Sequence, residues 1–115
     1  MANTTVLRPA GKTAVIAVTA TSSTSITIDD TTNAQVTFAS FINAGTKACA
    51  VTVSSLATAP ASVFPITGTP GDFVLPASMT FPITIAVPTV PFQITAICGG
   101  SDTTTLYVTP VGDQS

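Results

Sequence analysis

Apolar and polar residues alternate along most of this chain, in segments of three to eight residues separated by short polar stretches. Alternation with a period of two is typical of β-strands that bury one face, and no segment keeps a helical period over three turns. The pattern therefore predicts strands and no helix. The nine predicted strands span residues 4–7, 13–20, 24–28, 35–42, 47–54, 73–75, 83–87, 92–98 and 104–109.

The predicted strands end where turn-forming residues occur. Residues 29–33 (DDTTN), 43–45 (NAG) and 98–102 (CGGSD) predict hairpin connections. Gly and Asn adopt positive φ readily, and Asp closes turns through its own side chain. Short strands at this spacing predict an all-β fold, namely an antiparallel β-sandwich of jelly-roll-like type.

Strand parity assigns the residues to an inward and an outward face. In the final strand, Leu106 and Val108 face inward, which leaves Thr105, Tyr107 and Thr109 facing outward. The other predicted inward residues are Ile26, Ile28, Cys49, Val51, Val53, Ile83, Ile85, Val87, Phe92, Ile94, Ala96 and Cys98.

Segment 35–42 does not keep this phase. Val36 and Phe38 alternate, but Phe41 then falls on the opposite face. An extra residue in one strand shifts the faces in this way, so the pattern predicts a β-bulge near Ala39 and Ser40.

The region from residue 56 to residue 91 is rich in proline. Proline cannot donate to a sheet ladder, so it belongs to strand starts, sheet edges and loops. We expect a long loop at 57–70 that contains one short strand at 63–67. The prolines are Pro60, Pro65, Pro70, Pro76, Pro82, Pro88 and Pro91.

The first dozen residues predict an extended N-terminal arm, because Pro9-Ala10-Gly11 precedes the first strong strand pattern. The arm has too few apolar residues to hold itself in place, which suggests that a neighbouring subunit orders it. The expected organisation is an arm at 1–12 and a single β-sandwich domain at 13–115.

The composition argues against an enzyme. The chain has no histidine, glutamate or tryptophan, and only 7% of its residues are charged. Acid–base catalysis and metal binding depend on those side chains placed together, and no base is present to activate the many Ser and Thr hydroxyls. We expect no enzymatic activity, no cofactor and no metal site, and the five aspartates fit turn-forming and solubilising roles.

The charge balance argues against nucleic acid as a partner. Arg8, Lys12 and Lys47 face five aspartates, for a net charge of −2. Binding of a phosphate backbone needs a positive field. We also expect no membrane partner, because no run approaches the length of a span, and residues 13–20 alternate like a strand rather than like the core of a signal peptide. Low charge favours close packing between neutral surfaces.

Cys49 and Cys98 both fall on predicted inward faces. One interpretation is a disulfide across the sandwich. The other, which we favour, is a pair of reduced, buried cysteines that act as small apolar side chains, because nothing else in the sequence signals an oxidising compartment.

Three sets of residues are candidate interface positions. Tyr107 lies on an outward face among threonines and offers a large contact area at low entropic cost. Phe64 and Phe81 lie beside prolines, and core packing is the favoured reading for both. The arm contributes two of the three cations and two apolar residues: Val6, Leu7, Arg8 and Lys12.

From residue 35 onward, the order of features resembles that of small virion structural proteins of tailed bacteriophages. The matching segments are 36–45 (VTFASFINAG), 49–54 (CAVTVS), 73–76 (FVLP), 92–97 (FQITAI) and 103–113 (TTTLYVTPVGD). In that group a strand enters an N-x-G turn, a second strand leaves it, a Pro-rich loop follows and a final hairpin ends in TLYVTP-G. This chain departs from the pattern at Val111 and in its unusually Pro-rich middle.

The resemblance implies a location on the virion. Members of the group are capsid decoration (cement) proteins and neck or tail components. We expect a decoration protein that binds the major capsid protein on the capsid exterior, forms a homotrimer and is assembled in the cytoplasm of the host bacterium. The alternatives are a receptor-binding or adhesin-like domain of a tail or fibre, and a neck or tail component.

Overall fold

The computed structural model describes residues 7–9, 12–23, 25–28, 38–55, 60–88 and 91–113. These residues form nine strands and no helix. All strand pairs are antiparallel. The strands are β1 (Leu7–Pro9), β2 (Ala14–Val18), β3 (Ile26–Ile28), β4 (Phe38–Asn43), β5 (Cys49–Ser54), β6 (Phe73–Leu75), β7 (Ile83–Ala86), β8 (Phe92–Cys98) and β9 (Thr104–Asp113).

The strands form two sheets. In the first sheet the order is β1-β9-β4-β7, and β2 also pairs with β9. β1 and β2 lie end to end along the same edge of β9, because β1 pairs with Val111–Asp113 and β2 pairs with Thr104–Val108. The first sheet is therefore four strands wide, as is the second, whose order is β3-β8-β5-β6. The expectation of an all-β, two-sheet antiparallel structure is confirmed.

The core lies between the two sheets, and the predicted parity places its residues correctly in most strands. Cys49 and Val51 of β5 are buried, and Val53 packs against the core. In β9, Leu106 and Val108 are buried whereas Tyr107 is exposed. The remaining buried core residues are Ile16, Val18, Ile28, Ala39, Phe41, Leu75, Phe92, Ile94, Ala96 and Cys98.

The predicted bulge in β4 is wrong. Pairing between β4 and β9 runs without interruption from Phe38 opposite Val111 to Asn43 opposite Leu106. The inward residues are Ala39, Phe41 and Asn43, all of them fully buried. The prediction assigned Phe38 to the core, and this assignment required a phase break before Phe41. In the structure the inward positions on either side of Phe41 hold Ala39 and the hydrogen-bonded amide of Asn43.

The short strand predicted at 63–67 is also wrong. Ile66 and Thr69 exchange two backbone hydrogen bonds of 3.1 and 2.9 Å, which close a tight turn, and this is an isolated bridge rather than a strand. Gly68 in this turn has a φ of +84°, a conformation that suits glycine. Prolines at 60, 65 and 70 remove backbone donors around the turn, and this limits further pairing.

Part of the expected N-terminal arm belongs to the sheet. Leu7–Pro9 pair with Val111–Asp113 of the same chain, so this stretch does not need a neighbouring subunit to hold it. The strand extends the edge that β2 begins. Val6 and the rest of 1–6, like residues 10 and 11, lie outside the described residues.

Candidate functional site

The candidate interface residues occupy two opposite sides of the sandwich. Tyr107 lies on the outer side of the first sheet, and Leu7 and Arg8 are in β1 of the same sheet. Lys12 is exposed just before β2. Phe64 lies on the other side, in the loop that covers the second sheet. These residues therefore do not form a single cluster. They lie on two separate candidate surfaces.

The first surface is the outer side of the first sheet, which we call the uncharged face. Tyr107 is 38% exposed and stands in register between Val15 on β2, which is 56% exposed, and Ile42 on β4. The next row across the sheet is polar but neutral, with Thr109 opposite Ser40. The outward positions with described side chains, none of which carries a charge, are Val15, Ala17, Phe38, Ser40, Ile42, Thr84, Ala86, Thr105, Tyr107, Thr109 and Val111. Val111 is buried at 7% exposure. Asp113, at the end of β9, has the same parity along the strand.

The second surface is built by the Pro-rich loop, which a cluster of hydroxyl groups holds against β5 and β8. The Ser62 hydroxyl lies 2.9 Å from the hydroxyls of both Thr52 and Thr95, and Thr95 donates to the Pro60 carbonyl at 3.0 Å. The backbone N–H of Ser62 donates to the Ser22 hydroxyl at 2.9 Å. Ser62 is only 4% exposed, so these bonds satisfy polar groups that water cannot reach.

A pocket of about 610 Å³ opens between this loop and the 99–102 turn. Phe64 forms part of its wall and packs so closely on Gly99 that a side chain there would meet the ring at 2.9 Å. Most of the lining is apolar, and a carboxylate lies at one side, where Asp102 pairs with Lys47 at 3.9 Å. The other lining residues are Ala20, Ala48, Ser62, Val63, Ile66, Ile97, Cys98 and Gly100.

The two phenylalanines that were expected to pack in the core differ in their exposure. Phe64 is half-buried in the pocket wall, whereas Phe81 is 78% exposed. Core packing is therefore wrong for both residues, because Phe64 lies in the loop outside the second sheet and Phe81 is mostly in water. Phe81 lies two residues before β7 begins at Ile83, where the chain has not yet entered the sheet.

The two cysteines lie side by side in one sheet rather than across the sandwich. Cys49 of β5 is the direct register partner of Cys98 on β8, and both are buried free thiols. The Cys98 thiol donates to the Val18 carbonyl at 3.8 Å. Burial, with a smaller contribution from Cys98, raises the pKa of Cys49 from 9.0 to about 12. Burial and the Asp102 charge raise the pKa of Cys98. Because the thiolate is the reactive form, we expect both buried thiols to be poor nucleophiles in the folded protein.

We expect the free energy of unfolding to fall as pH rises from 9.0 toward about 12, because the unfolded Cys49 thiol ionises in this range while the folded one stays protonated. This contribution to stability is complete below pH 9.0, and its loss approaches about 1.4 kcal/mol per pH unit above it. Denaturant titrations at several alkaline pH values measure the slope. The Cys49→Ala variant should show a shallower slope, and equal slopes would refute this assignment.

No three His, Cys, Asp or Glu side chains lie together as a metal site among the described residues. The same part of the chain contains no helix that is long and apolar enough to cross a membrane. The two surfaces present mainly apolar side chains and hydroxyl groups.

Comparison with known proteins adds no relative. A scan against protein-family models finds no match, and searches of curated proteins and of solved structures find none either.

Proposed function

We propose that the fold is a jelly roll. Four nested antiparallel pairs support this assignment: β2 with β9, β3 with β8, β4 with β7, and β5 with β6. Nested pairs arise when one long hairpin folds over on itself, so that successive pairs alternate between two sheets. Two packed sheets of four strands with this connectivity are typical of jelly-roll domains, among them viral capsid and lectin domains.

On this fold we propose a non-enzymatic role as a capsid decoration protein of a tailed bacteriophage. The uncharged face carries the proposal. Interface cores are depleted of charged residues, because a charge that loses its water must find a partner. The described side chains of this face, which crosses four strands, carry no charge and meet that condition, and the Thr and Ser hydroxyls can pair with polar groups of a neighbouring subunit. The proposed partner is the major capsid protein on the virion exterior.

The proposed assembly is a homotrimer at threefold positions of the capsid. Such a trimer contacts several shell subunits at once and gains from multivalency even where each contact is weak. Tyr107 is the proposed anchor on the uncharged face. The N-terminal residues Val6, Leu7, Arg8 and Lys12, together with the Pro-rich loop, are the proposed shell contacts.

The pocket favours a second candidate function. A concave, mostly apolar site with one carboxylate suits the recognition of a small ligand or a side chain. It supports the alternative of a receptor-binding or adhesin-like domain on a tail or fibre.

Heat-induced genome release and solution mass test the decoration proposal. Particles that lack the protein should release their genome at a lower temperature than complete particles, because the protein bridges shell subunits. Light scattering of the purified protein should give three times the chain mass of 11.5 kDa. An unchanged release temperature would contradict the decoration role and favour the adhesin alternative, and a persistent monomer would contradict the trimer.

A further inference from the structure

The β2 strand forms the least protected sheet edge in the described part of the chain. Natural sheets block unwanted pairing with short edge strands, prolines or charges. β3 and β6 are only three residues long, and β7 lies between Pro82 and Pro88. β1 is also three residues long and contains Pro9. β2 is different: its five residues, AVIAV, include neither a charge nor a proline.

The backbone groups that β2 presents to the open edge can be identified. The Thr105 carbonyl accepts a hydrogen bond from the Ala44 N–H at 3.0 Å, so Thr105 and Tyr107 direct their backbone groups toward β4. The alternating residues Thr104, Leu106 and Val108 then face β2 and bond to their partners Val18, Ile16 and Ala14. Consequently Val15 and Ala17 direct their N–H and C=O groups away from β9. Both residues are exposed.

We propose that a second copy of this chain pairs with this edge, β2 against β2, around a twofold axis at Ile16. In this antiparallel register Val15 of one copy lies opposite Ala17 of the other, and their outward backbone groups bond to each other. The Ile16 side chains stay on the core side of both sheets. The result is one continuous sheet that carries both uncharged faces on the same side.

Charge and polarity favour a second copy as the occupant. The twofold register places Lys12 of one chain opposite Ala20 of the other, so the two Lys12 ammonium groups do not oppose each other. No other charge lies between residues 12 and 20. The pairing also places Ala17 of the second copy beside Val15, which is 56% exposed, and so shields part of that side chain from water. An isologous contact of this kind uses the same surface on both partners and closes on itself.

The contact is small, so we expect it to be weak and dependent on concentration. Pairing of two five-residue strands buries far less than the roughly 1,200 Å² typical of stable specific interfaces. This inference goes beyond the decoration proposal, because a twofold edge contact is separate from the threefold contact of a trimer. On a shell it would join neighbouring assemblies, where many weak contacts act together.

Sedimentation velocity over a range of concentrations tests the pairing. The wild-type mass should double as concentration rises, whether the starting unit is a monomer or a trimer. Ala17→Lys places a charge on the edge. Ala17→Pro removes the outward N–H group, which makes no hydrogen bond to β9. Both variants should therefore keep the starting mass at every concentration. The matched control is Val74→Lys, at an exposed position of β6 on an edge of the second sheet, which should double like the wild type.

Amide hydrogen exchange gives a second readout that does not depend on any variant. The Val15 and Ala17 amides should exchange more slowly as the wild-type concentration rises, while the Ile16 and Val18 amides, already bonded to β9, should not change. The proposal is overturned if the wild-type mass stays constant, if Ala17→Lys doubles as the wild type does, or if the Val15 and Ala17 amides exchange at one rate at all concentrations. If the protein proves not to be a trimer, these comparisons still test the β2 pairing.

Discussion

Replacing Phe41 with alanine should lower the free energy of unfolding by about 3 to 5 kcal/mol, the range for truncation of a buried aromatic side chain. Phe41 is fully buried at the middle of β4, between its register partners Val108 on β9 and Ile83 on β7. Its ring faces the second sheet, and the variant would leave a cavity that strands on both sides cannot close. Natural domains are stable by only about 5 to 15 kcal/mol, so this loss is a large part of the total.

Phe81→Ala is the matched control for this prediction, since it removes the same atoms from a side chain that is 78% exposed. It should change stability by less than about 0.5 kcal/mol. Denaturant unfolding of the wild type and both variants provides the comparison. Similar losses for the two variants would mean that the core is not centred where the structure places it.

Asn43→Leu should cost roughly 3 kcal/mol, although leucine is apolar and of similar size, because it leaves several polar groups without partners. Asn43 is fully buried. Its amide donates to the Lys47 carbonyl at 2.8 Å, and its side-chain oxygen accepts from the Thr104 hydroxyl at 2.6 Å and from the Gly45 N–H at 3.3 Å. One side chain thus closes the turn after β4 and ties it to the start of β9.

The Asn43 prediction has an internal check in Thr104. Thr104→Val removes one partner of the same network, so the double variant should cost less than the sum of the two single variants. Thr103→Val, at the exposed neighbouring position, serves as the control and should be nearly neutral. Additive losses from Asn43→Leu and Thr104→Val would show that the two side chains act independently.

Strict alternation made β5, β8 and β9 predictable from the sequence. In these strands the residues at the predicted inward positions are buried or pack against the core, although Ala50, Gln93 and Thr95 on the opposite side are buried as well. β4 broke the rule because its inward positions hold Ala39 and Asn43. The sequence does not reveal that a polar amide is buried, since the partners that satisfy it include Thr104, which is 61 positions away. Hydrophobic periodicity records which side chains avoid water and carries no information about such distant bonds.

The candidate surfaces were predictable to different degrees. Parity correctly placed Tyr107 outward, and the same argument applied to segment 13–20 would place Val15 beside it. The pocket was not predictable, because it depends on Ser62 reaching Thr95 across 33 positions. The exposure of Phe81 was missed because an aromatic residue is buried in most settings, and the sequence does not show where the chain enters the sheet.

The most direct test of the decoration role is the copy number of this protein in purified virions, measured against the major capsid protein by quantitative mass spectrometry. A decoration protein covers the shell, so the account predicts hundreds of copies per particle, in a fixed ratio to the capsid subunits. A tail, fibre or neck component is present in only a few copies. A small copy number, or absence from the particle, would contradict the proposed function.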